Sequence, residues 1–402
     1  MHLMPPKAAR FASVDALRGV IIALMILVNS MGGMTDVPGW TQHLPSETDG
    51  YTVTDLVFPL FLFIVGVSIP LSLASKAALP VMLRLRALGR IIPRTLGLLV
   101  LGVVFVNGDR YDDSATGMRE SVWMSSVMLA AIVLWGRFPR PESPGWRRAE
   151  AAWKIIAALG LGWLLLVWRG RMEDGSTWLQ PSWWGILGLI GWSYLVCSII
   201  YLLTGGNATA LMGLMALMVC VYIGDRHGRT PVIWEHLSRV WSTGSFFGSQ
   251  SAIVTAGMVA GTRLLDKKPD RHTFFLLFGA GLWLAGWLLR PLHGYHKNAG
   301  TESWGLVSAG IGTLLLLVFH RALDVFRRKS DTDGILVLAG RNALLAYLLP
   351  ELVGSLSGLA GIDLMPWWGR GGMFGMANAA AFTALMIWMA AAATRLGFVL
   401  RL

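Results

Sequence analysis

Apolar residues recur along this chain in long runs, separated by short breaks rich in charge, proline or glycine. A run of about 20 apolar residues crosses a hydrocarbon core of roughly 30 Å as a helix. Read in that frame, the pattern predicts about twelve spans. They centre near residues 17–34, 53–75, 90–107, 120–136, 151–168, 183–204, 207–224, 246–264, 273–290, 303–320, 335–354 and 375–394. The expected fold is all-α: a polytopic membrane bundle of about 11–12 transmembrane helices. It reads as a single integral-membrane domain over residues 1–402, with an N-terminal motif unit at about 10–105 and the remaining helices over about 120–402. No internal repeat is visible. The Pro-rich, basic stretch PRPESPGWRR, residues 139–148, marks a seam between the two parts.

Composition supports the pattern. Of 402 residues, 54% are hydrophobic and only 14% charged, where a soluble domain is about one quarter charged. A formal charge of +11 would point a soluble protein towards nucleic acid. Here the distribution of charge explains it, because cytoplasmic loops attract Lys and Arg. Lys7 and Arg10 lie at the start, and Lys76, Arg84, Arg86, Arg90 and Arg94 follow the second span. Later breaks hold Arg137, Arg140, Arg147 and Arg148, then Arg263, Lys267, Lys268 and Arg271, then Arg321, Arg327, Arg328 and Lys329. The alternate loops are poorer in basic residues and the first has none. Both termini are therefore expected in the cytoplasm, and the first loop on the far side. Residues 1–34 resemble a signal peptide, but they lack an A-x-A-type site and carry Arg18 too far inside, which reads as an uncleaved first span. Cys197 and Cys220 fall inside spans with no metal or redox spacing, as small core residues do.

Ionisable groups in spans are costly and are functional candidates by default. Asp15 and Arg18 share one face of the first helix, and Asn29 lies about 16 Å further along its axis. The loop that follows contains His43, and the second span opens with Asp55. Imidazole and carboxylate in that order fit a general base with an orienting partner. On pattern alone the plainer reading is a solvated loop histidine and a helix-N-terminal carboxylate favoured by the dipole. HGYHKNAGTESW, residues 293–304, brings two histidines, Lys297 beside Asn298, and a glutamate to an outer loop, without a convergent third metal ligand. GRNALLAYLLPE, residues 340–351, sets Asn342 and Tyr347 in an apolar span, where interhelical hydrogen bonding is the plainer role. Tryptophan pairs at 183/184 and 367/368 suit interfacial anchoring. The cluster LRLRALGRIIPR, residues 83–94, is a positive-inside signal or a mouth for an anionic cosubstrate. No Walker, dinucleotide-binding or G-x-S-x-G motif is present.

SVDALRGVIIALMILVNSMGG, then His43, then YTVTDLVFPLFLFIVG, resembles the heparan-α-glucosaminide N-acetyltransferase family and its bacterial inner-membrane branch associated with N-acetylglucosamine utilisation. Residues 183–196, 248–264, 296–304 and 340–347 add weaker matches in the same order. Residues 105–180 depart from the human-type pattern, and the large lumenal extension of the animal enzymes is missing, which favours a prokaryotic protein. The resemblance implies transmembrane acetylation: acetyl-CoA used from the cytoplasm, an amino sugar or glycan acylated on the periplasmic side, no metal and no nucleic acid. It maps the catalytic histidine to His43, with an insertion of about two residues before Asp55, and the helix-1 asparagine to Asn29. Asp15, Arg18, Arg84, Arg86, Arg90 and Arg94 are then expected to receive the donor. His296, Lys297 with Asn298, Trp304, Asn342 and Tyr347 are expected to receive the acceptor. Contact with membrane lipid and a homodimer are the expected associations. Direct transfer and a covalent acetyl-histidine route both remain open, as do an amino-sugar transporter and a membrane scaffold.

Overall fold

The computed structural model describes residues 10–139, 143–171, 177–181, 185–228, 244–266, 268–326, 334–364 and 370–401. Both tryptophan pairs, Lys7, Arg140, Lys267, Arg327, Arg328 and Lys329 lie outside them. All twelve expected runs carry helix. In chain order the helices are α1 (Ala12–Ser30), α2 (Val53–Ala77), α3 (Leu88–Gly108), α4 (Glu120–Trp135), α5 (Pro144–Val167), α6 (Ile186–Leu203) and α7 (Ala208–Arg226). There follow α8 (Ser251–Leu265), α9 (Arg271–His293), α10 (Glu302–Phe319), α11 (Ile335–Arg341), α12 (Ala343–Leu359) and α13 (Gly372–Arg395).

The chain is an all-α membrane bundle. Among the described residues, nine helices are long and apolar enough to cross a membrane. The pair α11 and α12, bent by 90°, makes a tenth if counted as one span. The expected number is reached only by adding α4, with 16 residues, and α8, with 15. Residues 251–261 of α8 are all buried, and a helix surrounded by protein is apolar on every side just as a lipid-facing one is.

Contacts divide the chain into two compact units interleaved in sequence. The first comprises Met1–Leu17, Gly39–Leu96 and Leu189–Thr332. Within it α2 packs against α8 and α10, α8 against α7, and α9 against α10. Glycines set the α2–α8 spacing. A Cβ on Gly66 would lie 2.1 Å from the Val254 carbonyl oxygen, and one on Gly257 2.1 Å from that of Phe63. Backbones touch there, as small residues permit between helices that lack a hydrophobic driving force in lipid. Gly257→Leu is expected to cost at least about 1–3 kcal/mol by overpacking, read as a fall in Tm in detergent. An unchanged Tm would show that the two helices separate freely.

The second unit comprises Arg18–Pro38, Gly97–Gly188 and Asp333–Leu402. In it α4 packs on α5 and α12, and α13 on α11 and α12. Strand β1 (Gly136–Arg137) pairs antiparallel with β2 (Val399–Leu400), fastening the end of α4 to the C-terminal segment. Asn342 stands at the break between α11 and α12 with non-helical ψ. Its amide donates to the Phe398 carbonyl at 3.0 Å and accepts from the Leu400 N–H at 2.9 Å. The break is thereby hydrogen-bonded from outside the helix, as a buried broken helix requires.

Candidate functional site

The T-V-T-D sequence at residues 52–55 starts α2 with a capping box. Thr52 is the N-cap, and its hydroxyl accepts from the Asp55 N–H, while Asp55 Oδ2 accepts from the Thr52 N–H at 3.0 Å. This reciprocal arrangement satisfies orphan donors of the first turn. Asp55 Oδ2 also receives the Leu44 N–H at 3.4 Å and the Thr52 hydroxyl at 3.1 Å. The other carboxylate oxygen remains, and it meets His43 Nδ1 at 2.8 Å. Local capping thus turns one oxygen of a 2%-exposed carboxylate towards the loop.

Two further devices steady this pair. Thr54 donates to the Thr41 carbonyl, binding the loop to the helix at 2.8 Å. Pro59 stands four residues beyond Asp55, so the Asp55 carbonyl has no N–H of its own turn to receive. The buried indole of Trp304, at the start of α10, donates to that carbonyl at 3.3 Å. Trp304 therefore supports the start of α2 from within the core.

The loop between α9 and α10 reaches the same place. Lys297 Nζ lies 3.0 Å from each ring nitrogen of His43, and Asn298 Nδ2 donates to Ser46 Oγ at 2.5 Å. The loop is tied down on several sides. The Ala299 carbonyl accepts from Tyr222 at 3.2 Å, Arg226 at 3.3 Å and Ser245 at 2.9 Å, and Ser249 donates to the Gly300 carbonyl. At its base His293 Nδ1 sits 2.8 Å from Glu302 Oε1. Burial pushes the Lys297 ammonium below the ordinary lysine value, an effect that the Asp55 carboxylate partly offsets.

Asp49 joins the two loops. Its carboxylate accepts from the Tyr295 N–H at 2.7 Å and from Arg290 Nε at 3.0 Å. The Tyr295 N–H foremost, opposed by burial and helped by Arg290, holds this carboxyl below its usual value of 3.8. A lowered folded pKa contributes stability above the unfolded value and loses it as pH falls through the folded one. The Tm advantage of the wild type over Asp49→Asn is therefore expected to be constant near neutrality, to begin falling as pH drops past the usual value of 3.8, and to vanish only below the still lower folded value. A difference that persists in strong acid would show that Asp49 acts through something other than its charge.

A small open pocket lies between the loops, lined by Leu44, Pro45, Ser46, Thr48, Gly50, Asp55, Tyr295, His296, Lys297 and Asn298. Asp55 and Lys297, the two groups against His43, are both in its wall. The His43 side chain is 50% exposed, while His293 and Glu302 of the second histidine–carboxylate pair are 16% and 0% exposed. Accessibility thus separates a pair that can meet a substrate from one that closes a loop.

Of the residues expected at the site, His43, Asp55, His296, Lys297 and Trp304 come together in the first unit. Asn29 is exposed in the last turn of α1, within the second unit. Asn342 and Tyr347 also belong to that unit, the latter 5.3 Å from the Phe105 ring. Asp15 lies in the first turn of α1, and Arg18 donates to the Gly340 carbonyl at 3.1 Å. Arg84 donates to the Leu79 and Leu202 carbonyls at 2.5 and 2.9 Å. Arg94 stacks 4.7 Å over Tyr194, and Arg86 and Arg90 are exposed. Among the described residues no three His, Cys, Asp or Glu side chains converge as a metal site. Sequence reading missed Thr52, Asp49, Arg290 and Ser46. The capping-box spacing signals the first, but nothing local signals the others.

The chain is 27% identical over 380 residues to the human protein named heparan-α-glucosaminide N-acetyltransferase, covering 88% of this chain and 54% of that one. The mouse protein of the same name is 26% identical over 383 residues, covering 86% and 54%. The chain thus spans about half the length of the curated relatives it matches. The family model described as a domain of unknown function, DUF5009, matches residues 10–264, from α1 through α8. That match includes both His43 and Asp55, and the chain belongs to the DUF5009 family.

Proposed function

We propose that this protein is a membrane-embedded N-acetyltransferase that moves an acetyl group from acetyl-CoA to the amino group of a glucosamine-type sugar. The observation that carries the reading is the His43–Asp55 pair, at 2.8 Å, beside a loop pocket in a chain similar to named N-acetyltransferases. In a neutral imidazole one nitrogen donates and the other accepts. Asp55 Oδ1 accepts the hydrogen bond from Nδ1–H, so Nε2 carries the lone pair. The neutral amine attacks the thioester carbonyl, the C–S bond breaks as the C–N bond forms, and Nε2 receives the proton released by the amine.

The donor enters from the cytoplasm in this reading, past the basic cluster at Arg84, Arg86, Arg90 and Arg94 and past Asp15 and Arg18. The acceptor is taken on the periplasmic side of a bacterial inner membrane, by a chain that forms homodimers. Asn29 is the candidate oxyanion donor, and Asn342 and Tyr347 are candidate acceptor contacts, on their motif positions alone. Sealed proteoliposomes with labelled acetyl-CoA and glucosamine on chosen sides test the whole. Label transfer without net sugar flux supports the enzyme, and sugar flux without acetylation would replace it with a transporter.

A further inference from the structure

A histidine that takes the amine's proton deals with half of an acetyl transfer. The departing thiolate also needs a proton, and neither Asp55, an acceptor when ionised, nor His43 in its resting form at Nε2 holds one to give. Lys297 Nζ, 3.0 Å from both ring nitrogens of His43, is the group placed to supply it. An atom at that range from both nitrogens would collide with Cε1 if it lay in the ring plane, so Nζ sits over the face of the imidazole. The in-plane lone pair of Nε2 is left open to the acceptor, and the ammonium stands beside the atoms that react.

We propose that Lys297 is the acid that protonates the thiolate leaving group, while His43 takes the proton of the acceptor amine, and that solvent restores both side chains. The balance closes. The amine nitrogen forms the C–N bond and loses a proton to His43 Nε2. The C–S bond breaks, and its electron pair takes a proton from Lys297 Nζ. The imidazolium gives up its in-plane Nε2 proton to solvent, and the neutral lysine takes one back from solvent, as an alkylamine does near neutrality. Amide and free thiol leave, and both side chains are restored. The lysine must hold its place for this, and the hydrogen bonds from Tyr222, Arg226 and Ser245 to its loop, with that from Asn298 to Ser46, do so. Burial favours the role as well, since an ammonium lowered from its ordinary value is a better acid near neutrality. The ionisable groups facing Nζ are His43 from the first loop and Asp55 from α2. Asp49 is engaged by Arg290 and Tyr295, and His296 precedes Lys297 on its own loop.

This acid role rests on the acetyl-transfer reading, and the test separates the two. Steady-state transfer from acetyl-CoA to glucosamine is measured for wild type, His43→Ala, Lys297→Met and Lys297→Arg, with acetyl-CoA binding and Tm as controls on the fold. Lys297→Met is expected to lower kcat by about 100-fold or more, with acceptor KM and donor binding little changed. Lys297→Arg is expected to be as poor, because guanidinium keeps its charge but does not release a proton. Wild-type kcat should fall on an alkaline limb below the ordinary lysine value of 10.5, a limb missing from the residual activity of both variants. An active Lys297→Arg beside an inactive His43→Ala would overturn the acid role and leave the base in place. A Lys297→Met variant altered only in KM would reduce the lysine to a binding contact. A wild type that transfers no label would remove the acetyl-transfer reading and the acid role with it.

Discussion

His43→Ala is expected to lower acetyl transfer by about 10²–10⁴-fold, the usual range for a positioned general base, while leaving the fold intact. The side chain is half exposed and its neighbours are held independently. Thr52 and Leu44 hydrogen-bond Asp55 from the backbone, and Thr54 binds the loop to α2. Removal of the ring opens no core cavity but leaves Asp55 Oδ1 without its 2.8 Å partner, and stability should fall by about 1–3 kcal/mol, as for a buried polar group left unpaired. Transfer and Tm measured on the same preparation separate the two effects. Retention of full activity would move the base elsewhere, and the half-buried His293 would be the first residue to examine.

The second large effect is expected at Asp55, where chemistry and folding share one side chain. Asp55→Asn keeps the shape but provides one acceptor oxygen where the carboxylate has two. It can receive the Thr52 N–H or the His43 Nδ1–H, and its NH2 group must face the other donor. Turnover should fall by about 10²–10⁴-fold as the imidazole loses its fixed tautomer. Stability should fall by about 1–3 kcal/mol for a buried donor left without a partner. Thr52→Ala is the control. It removes the cap, at about 1 kcal/mol, but leaves the 2.8 Å contact between Asp55 and His43. Turnover in Thr52→Ala should drop less than tenfold. Equal losses of activity in both variants would mean that Asp55 serves only to start the helix.

The difference between what was legible and what was not follows from range. His43 and Asp55 are 12 positions apart, with a capping motif between loop and helix, so their pairing can be read from local rules. His43 and Lys297 are 254 positions apart. The lysine was legible as a member of a polar outer loop, but its place over the imidazole depends on α2 and α10 packing side by side. Trp304 illustrates the same limit: an aromatic near a binding loop reads as a contact for substrate, yet burial directs its N–H to the carbonyl that Pro59 left open.

Sequence by itself determined that this chain is a membrane helix bundle and where its helices run, and it offered a loop histidine and a helix-starting carboxylate as candidates. Hydropathy and capping act over a turn or a span, and they survive any arrangement of the bundle. Tertiary structure alone decided the interleaving of the two units and the place of Lys297 beside His43. Those depend on which backbones approach closely enough to touch, as at Gly66 and Gly257, and such contacts join residues that no local pattern connects.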